Sequence, residues 1–158
     1  MKKILSMLTL SILIIASCDN SLDNPEFNSN INNRSDQDAY DQLVTALDDD
    51  QIISDNFYLR SAEVVDSVLH VTVSYSGGCR EHSFELVWPE AIIMIFPPQF
   101  NVILLHDSNN DLCEAAITET LIFELSENGL GLSKDVFSLM KLGIINGSNP
   151  DEIVNVNE

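Results

Sequence analysis

From Phe57 onward the apolar residues of this chain recur at every second position. Leu69, Val71, Val73 and Tyr75 alternate with His70, Thr72 and Ser74, which predicts a strand with one buried face. Ser76-Gly77-Gly78 then marks a turn. Phe84, Leu86 and Trp88 alternate with Ser83, Glu85 and Val87 and form the returning strand. Ala91 to Phe96 is a continuous apolar run, expected to be a strand covered on both faces or lying at an edge. Pro97-Pro98 ends it, because neither proline can donate to a ladder. Further strands are predicted over Tyr58–Val65, Asn101–His106, Thr118–Leu125 and Ile153–Val156. Short strands divided by frequent turns predict a mainly β domain, an antiparallel β-sandwich or barrel-like fold with one or two short helices.

Two segments change period. Tyr40, Leu43, Val44 and Leu47 fall on one helical face, and Ser35 with Asp38 makes a weak capping box, so a helix is expected over Asp36–Leu47. Asp48-Asp49-Asp50 should end it, since anions oppose the negative end of the helix dipole. Ser133–Leu142 is the second helical candidate, with Val136, Phe137, Leu139 and Met140 inward. No internal repeat is visible. The Asn-, Asp- and Ser-rich stretch before Ser35 has too few large apolar residues to offset chain entropy and reads as a tether. The expected layout is a leader over residues 1–17, a flexible acidic tether over 18–35, a short helix and linker over 36–56, and the β-rich globular domain over 57–158.

The leader is set apart by its composition. Lys2 and Lys3 precede a largely apolar run from Ile4 to Ala16. That run is too short for a helix across a bilayer of ~30 Å, which takes about 20 residues. A basic start, a short apolar run and small residues at the end make an export signal. Its end, Ile15-Ala16-Ser17-Cys18, resembles the lipobox of bacterial lipoproteins. The resemblance implies cleavage before Cys18 and acylation of Cys18, and two or more acyl chains hold a protein durably on a membrane. The alternative is a plain signal peptide followed by a chance cysteine.

Charge narrows the partners. Removing residues 1–17 takes away two of the seven cations and no anion, so the formal charge goes from −18 to −20. Phosphate backbones and anionic lipid surfaces would repel such a domain, which argues against nucleic acid as a partner. An acidic solvated surface needs no partner at all.

Three cysteines leave two, Cys79 and Cys113, once Cys18 is acylated. In an exported protein two remaining cysteines usually pair. A bridge between them would constrain the unfolded chain by about 4 kcal/mol on the entropy model. A four-ligand metal site is the alternative, with Cys79 and His82 as one pair and His106 and Cys113 as the other, the donor set zinc accepts. A catalytic Cys79–His82 pair would need a thiolate, which Arg80 would favour and Glu81 oppose. His82 also shares parity with Phe84, Leu86 and Trp88, so a buried histidine with a backbone partner is the plainer expectation. Asp107, Asn109 and Asp111 are spaced like the first ligands of a calcium loop, but Leu112 and Thr118 stand where that loop needs glycine and glutamate. Asp66-Ser67-Val68 resembles a short O-glycosylation acceptor motif, and Asn146-Gly147-Ser148 fits an N-glycosylation sequon.

The longer pattern "VSYSGGCREHSFELVW" followed by "LLHDSNNDLCEAAITETLIFEL" resembles a group of envelope lipoproteins of Bacteroidota. They share a Gly-Gly-Cys-x-x-His turn, a His-Asp and a later Cys. The resemblance implies an envelope lipoprotein and brings no activity with it. The expected location is the cell envelope, with the outer membrane, on its periplasmic or exposed face, favoured over the inner membrane that Asp19 after Cys18 would signal in enterobacteria. The resulting expectation is a lipid-anchored, non-enzymatic binding or structural module with no cofactor. Its partners would be the membrane, through the anchor, and another envelope protein. The competing expectation is a metal-binding protein or metalloenzyme using His82 and His106 with Cys79 and Cys113.

Overall fold

The computed structural model describes residues 29–90, 97–125 and 139–156. Their order is β1 (Asn30–Ser35), α1 (Gln37–Asp48), β2 (Tyr58–Val65), β3 (Val68–Gly77), β4 (Ser83–Trp88), β5 (Gln99–Asp107), β6 (Ala115–Glu124), β7 (Lys141–Asn146) and β8 (Asn149–Val156). The strands form a five-stranded sheet, β1-β4-β5-β7-β8, and a three-stranded sheet, β2-β3-β6. The domain is mainly β, a sandwich with one helix among the described residues.

Alternation builds the core as expected. Leu69, Val71 and Val73 of β3 are fully buried, and Ile117, Leu121 and Phe123 of β6 join them. Across the sandwich Phe84, Leu86 and Trp88 of β4 meet Phe100, Val102 and Leu104 of β5. Val87 and Ile103 have the opposite parity and pair with each other, yet both are wholly buried. Helix α1 lies against β4 on that side, with Leu47 buried, and the Tyr40 hydroxyl donates to the Asn101 carbonyl at 3.0 Å. The helix cap is Asp36, whose carboxylate accepts from Ala39 N at 2.9 Å. Ser35, the sequence-based choice, is spent in β1. The helix ends at Asp48, and Asp50 turns into the left-handed region with φ 56°. Asp66 and Ser67, with φ of 52° and 69°, make the tight turn that joins β2 to β3.

Four expectations need correction. Asn30–Ser35, within the expected flexible tether, is a strand, so the fold starts well before Phe57. It pairs in parallel with β4, from Asn30↔Ser83 to Ser35↔Trp88. Main-chain bonds such as Asn30 N to His82 O at 2.9 Å hold it, with the Arg34–Glu85 ion pair at 3.1 Å. Composition misses such a strand because ladder bonds hold it, with little apolar packing beyond Ile31 against the core. Second, the pairing is not all antiparallel: β1–β4 and β5–β7 are parallel. Third, the C-terminal end of the expected helix Ser133–Leu142 is strand, because Lys141 and Leu142 open β7. Most of that helix lies outside the described residues, as does the apolar run 91–96. Fourth, β7 has no counterpart among the expected strands, and β8 is longer than the four residues expected of it.

Candidate functional site

The chemistry-bearing residues gather where β3, β4, β5 and β6 share one end of the sandwich. The register explains the disulfide. β3 and β6 pair antiparallel down to Gly77↔Ala115. Two residues further along each chain stand Cys79 and Cys113, so the ladder leaves them facing each other. They are bonded, with Cα atoms 5.9 Å apart. That spacing is ordinary for a bridge.

Asp111 organises the corner. Its Oδ2 accepts from Cys79 N at 2.8 Å and Arg80 N at 3.0 Å, and its Oδ1 from Cys113 N at 2.9 Å. One carboxylate therefore grips the main chain of both cysteines. These donors, the Cys113 N–H first, hold the Asp111 carboxyl well below the usual carboxylate range. His82 Nε2 lies 3.3 Å from the same Oδ2. Gly77 makes room for it: a Cβ there would sit 2.5 Å from His82 Nε2.

His82 and His106 are adjacent because Phe84 pairs with His106 across β4–β5 and His82 is the next inward position. His82 Nδ1 and His106 Nε2 share a hydrogen bond of 2.8 Å. Both rings are buried, at 3% and 4% exposure, and Tyr75 covers them at 4.6 and 5.1 Å between ring centroids. Phe84 stacks on His106 at 4.5 Å. Burial, with His82 beside it, pushes the pKa of His106 down to about 4. His106 Nδ1 is buried beside the main chain of Asp55 and Asn56. Asp55 accepts from Ser108 N and Oγ at 2.8 and 2.6 Å, and that hydroxyl lowers its pKa.

The structure thus brings Cys79, His82, His106 and Cys113 to one corner but not into the expected four-ligand site. The two sulfurs are joined, so the thiolates that site needs are consumed. His106 meets His82 rather than the cysteines. The catalytic Cys79–His82 pair fails for the same reason, since no thiolate exists. Of the three residues spaced like calcium ligands, Asp107 accepts from Asn109 N at 2.8 Å in a local turn, and Asp111 accepts three main-chain N–H bonds. Ser67 is 6% exposed and Asn146 0%, so neither glycosylation motif presents its acceptor. Cys18 lies outside the described residues. Sequence reasoning missed Asp111 as the organiser. The available signal was an aspartate two residues before a cysteine, the spacing of an Asx turn.

Beside this corner opens a cleft of about 500 Å³, lined by Tyr58, Arg60, Ser74, Ser108 and Thr118, with His106 and Asp111 among its other walls. Arg60 is set in place. Its Nε donates to Ser74 Oγ at 2.9 Å, and its guanidinium carbon stands 5.2 Å from the Tyr58 ring centroid. Ser74 and Thr118 share a hydrogen bond of 2.9 Å across the sheet.

No family model matches the chain, and no curated protein matches it. Several solved structures do. A protein of unknown function DUF1344 from Bacteroides vulgatus is 13% identical with a TM-score of 0.49, over 80% of this chain and 56% of that one. A putative toxin-related protein from Parabacteroides distasonis is 15% identical with a TM-score of 0.46, over 79% and 58%. A NigD-like immunity protein from Bacteroides caccae is 16% identical with a TM-score of 0.43, over 75% and 51%. The chain spans little more than half the length of each of these structures.

Proposed function

We propose that this chain is a lipid-anchored protein of the cell envelope whose folded domain binds a partner and performs no chemistry on it. The observation that carries the binding reading is the cleft of about 500 Å³ beside the disulfide corner. Its walls offer hydroxyls, an aromatic ring and one pre-set guanidinium, groups that recognise a partner through hydrogen bonds. His82 supports the same reading, because it is buried, bonded to His106 and not part of the cleft's lining. The anchor rests on the export signal and on Ile15-Ala16-Ser17-Cys18.

One experiment addresses both halves. A photoreactive residue replaces Thr118 in the full chain, and intact cells are irradiated and fractionated. The expected product is a membrane-borne adduct that Arg60→Glu or Tyr58→Ala abolishes. Cys18→Ala should release the chain from the membrane fraction or block its maturation. An adduct indifferent to Arg60 and Tyr58 would overturn the cleft, and a Cys18→Ala chain that matures and stays bound would overturn the anchor.

A further inference from the structure

We infer that reduction of Cys79–Cys113 turns this corner into a binding site for a thiophilic divalent cation such as zinc, with Cys79 Sγ, Cys113 Sγ, the Asp111 carboxylate and His82 Nε2 as its ligands. The inference is independent of what the cleft binds. Among the described residues, Cys79, Asp111 and Cys113 form the one group whose ligand atoms converge, all within 4.8 Å of one another. Zinc with bonds of about 2.0–2.3 Å sets its ligands roughly 3.3–3.8 Å apart. Small shifts of these three therefore suffice once the sulfurs part, whereas His82 Nε2 lies outside the group and must turn further to reach the metal.

Three features organise the reduced site in advance. The Asp111 carboxylate holds Cys79 N, Arg80 N and Cys113 N, so both cysteines stay tethered to one point without their covalent bond. These N–H bonds would also orient the ligating carboxylate, as outer-shell donors do in metal sites. His82 Nε2 already lies 3.3 Å from Asp111 Oδ2. Its other nitrogen is bonded to His106 Nε2 at 2.8 Å. A ligating histidine characteristically anchors its second nitrogen on a polar partner, which fixes the ring and the tautomer. His106 is that partner and not a ligand.

The chemistry balances. A dithiol reductant gives two electrons and two protons to the Cys79–Cys113 bond and leaves as its own disulfide. Zinc then displaces the two thiol protons. Oxidation of the thiolates by a disulfide expels the metal and restores the bridge.

The test uses the full chain in detergent, with Cys18→Ser as a control that leaves no third thiol. The chain is reduced with a phosphine and titrated with zinc chloride, and with cobalt(II) as a spectroscopic stand-in. Expected are one zinc per reduced chain, none per oxidised chain, and cobalt spectra with thiolate charge-transfer bands and tetrahedral d–d bands. His82→Gln and Asp111→Asn should each weaken zinc by at least about tenfold, and His106→Phe by about 10- to 100-fold. Cys79→Ser should abolish tight binding. If reduction alone loosens the fold, one equivalent of zinc should restore the native near-ultraviolet signal. Equal uptake by the oxidised chain would overturn the inference. So would no stoichiometric uptake, no recovery of the fold, or binding indifferent to both His82→Gln and Asp111→Asn.

Discussion

The two ends of the sandwich are closed by opposite chemistry. At one end Trp88 and Phe100 meet at 5.6 Å between ring centroids, packed with Phe123, Leu125, Met140 and Leu142, all nearly without exposure. At the other, two buried histidines, a multiply bonded aspartate and a disulfide take the place of aliphatic packing. The same strands run through both ends: β4 begins beside His82 and finishes at Trp88. One end gains its stability from removing apolar area from water, while the other gains it from cross-linking and buried polar bonds. The first kind tolerates acid and reductant. The second does not.

The largest effect should come from emptying the apolar end. Trp88→Ala removes the largest fully buried side chain, and such a change costs about 3–5 kcal/mol. Urea unfolding of the full chain measures it, and the loss should be the same in reducing and non-reducing buffer. A loss that depends on reductant would mean that the two ends are energetically coupled, not separate.

The disulfide comes next. Cys79→Ala and Cys113→Ala should each lose about 2–4 kcal/mol, and the double variant little more than either. The bridge closes a loop of sequence separation 34. Unfolding midpoints and a thiol count on the denatured, unreduced chain check this. Additive losses would show that each cysteine contributes separately, which a bridge forbids.

Much of this contrast was legible in the sequence, but unevenly. Strands β3, β4 and β6 follow from period-two alternation, because each buries one face. The disulfide follows from counting cysteines, and the β3–β6 register then places them. Parity placed His82 inward, and the same parity through Val102 and Leu104 would have placed His106 inward as well. The parallel partners of β4 and β5 were not legible. A parallel neighbour is chosen across a long crossover, and nothing local in Asn30–Ser35 or Lys141–Asn146 announces it. Asp111 was hidden by its spacing, which suggested calcium. Its use is to collect main-chain N–H groups from a turn some thirty residues away, and side-chain chemistry alone does not reveal that.

Acid should separate the ends further, with a smaller effect. In the oxidised, metal-free protein His106 stays neutral down to about pH 4. An unfolded chain takes up that proton near its ordinary pKa of about 6.5. The unfolded state therefore binds more protons between these values, and stability falls as pH falls through that window. Asp111, held below the usual carboxylate range, extends the loss to lower pH as the unfolded chain protonates first. Unfolding free energy against pH should slope upward between about 4 and 6.5. His106→Phe should flatten that slope, and Trp88→Ala should shift the whole curve down with its slope intact. A slope unchanged by His106→Phe would assign the acid sensitivity elsewhere.

The smallest effect tests whether polarity stabilises only where it is buried. On the outer face of the three-stranded sheet, Thr72 and Thr120 share a hydroxyl bond of 3.1 Å in exposed surroundings. Water can replace either hydroxyl, so the net worth of the bond is small. Thr120→Val keeps the β-branched shape that suits a strand and removes only the polar atom. Stability should change by less than about 0.5 kcal/mol in either direction. The comparison at the buried corner is His82→Gln, where a ring nitrogen bonded at 2.8 Å to His106 is lost from an enclosed site. That change should exceed the surface one several-fold. Equal losses at the two sites, measured side by side in urea, would mean that enclosure adds nothing to these bonds. The polar end would then owe its stability to the disulfide alone.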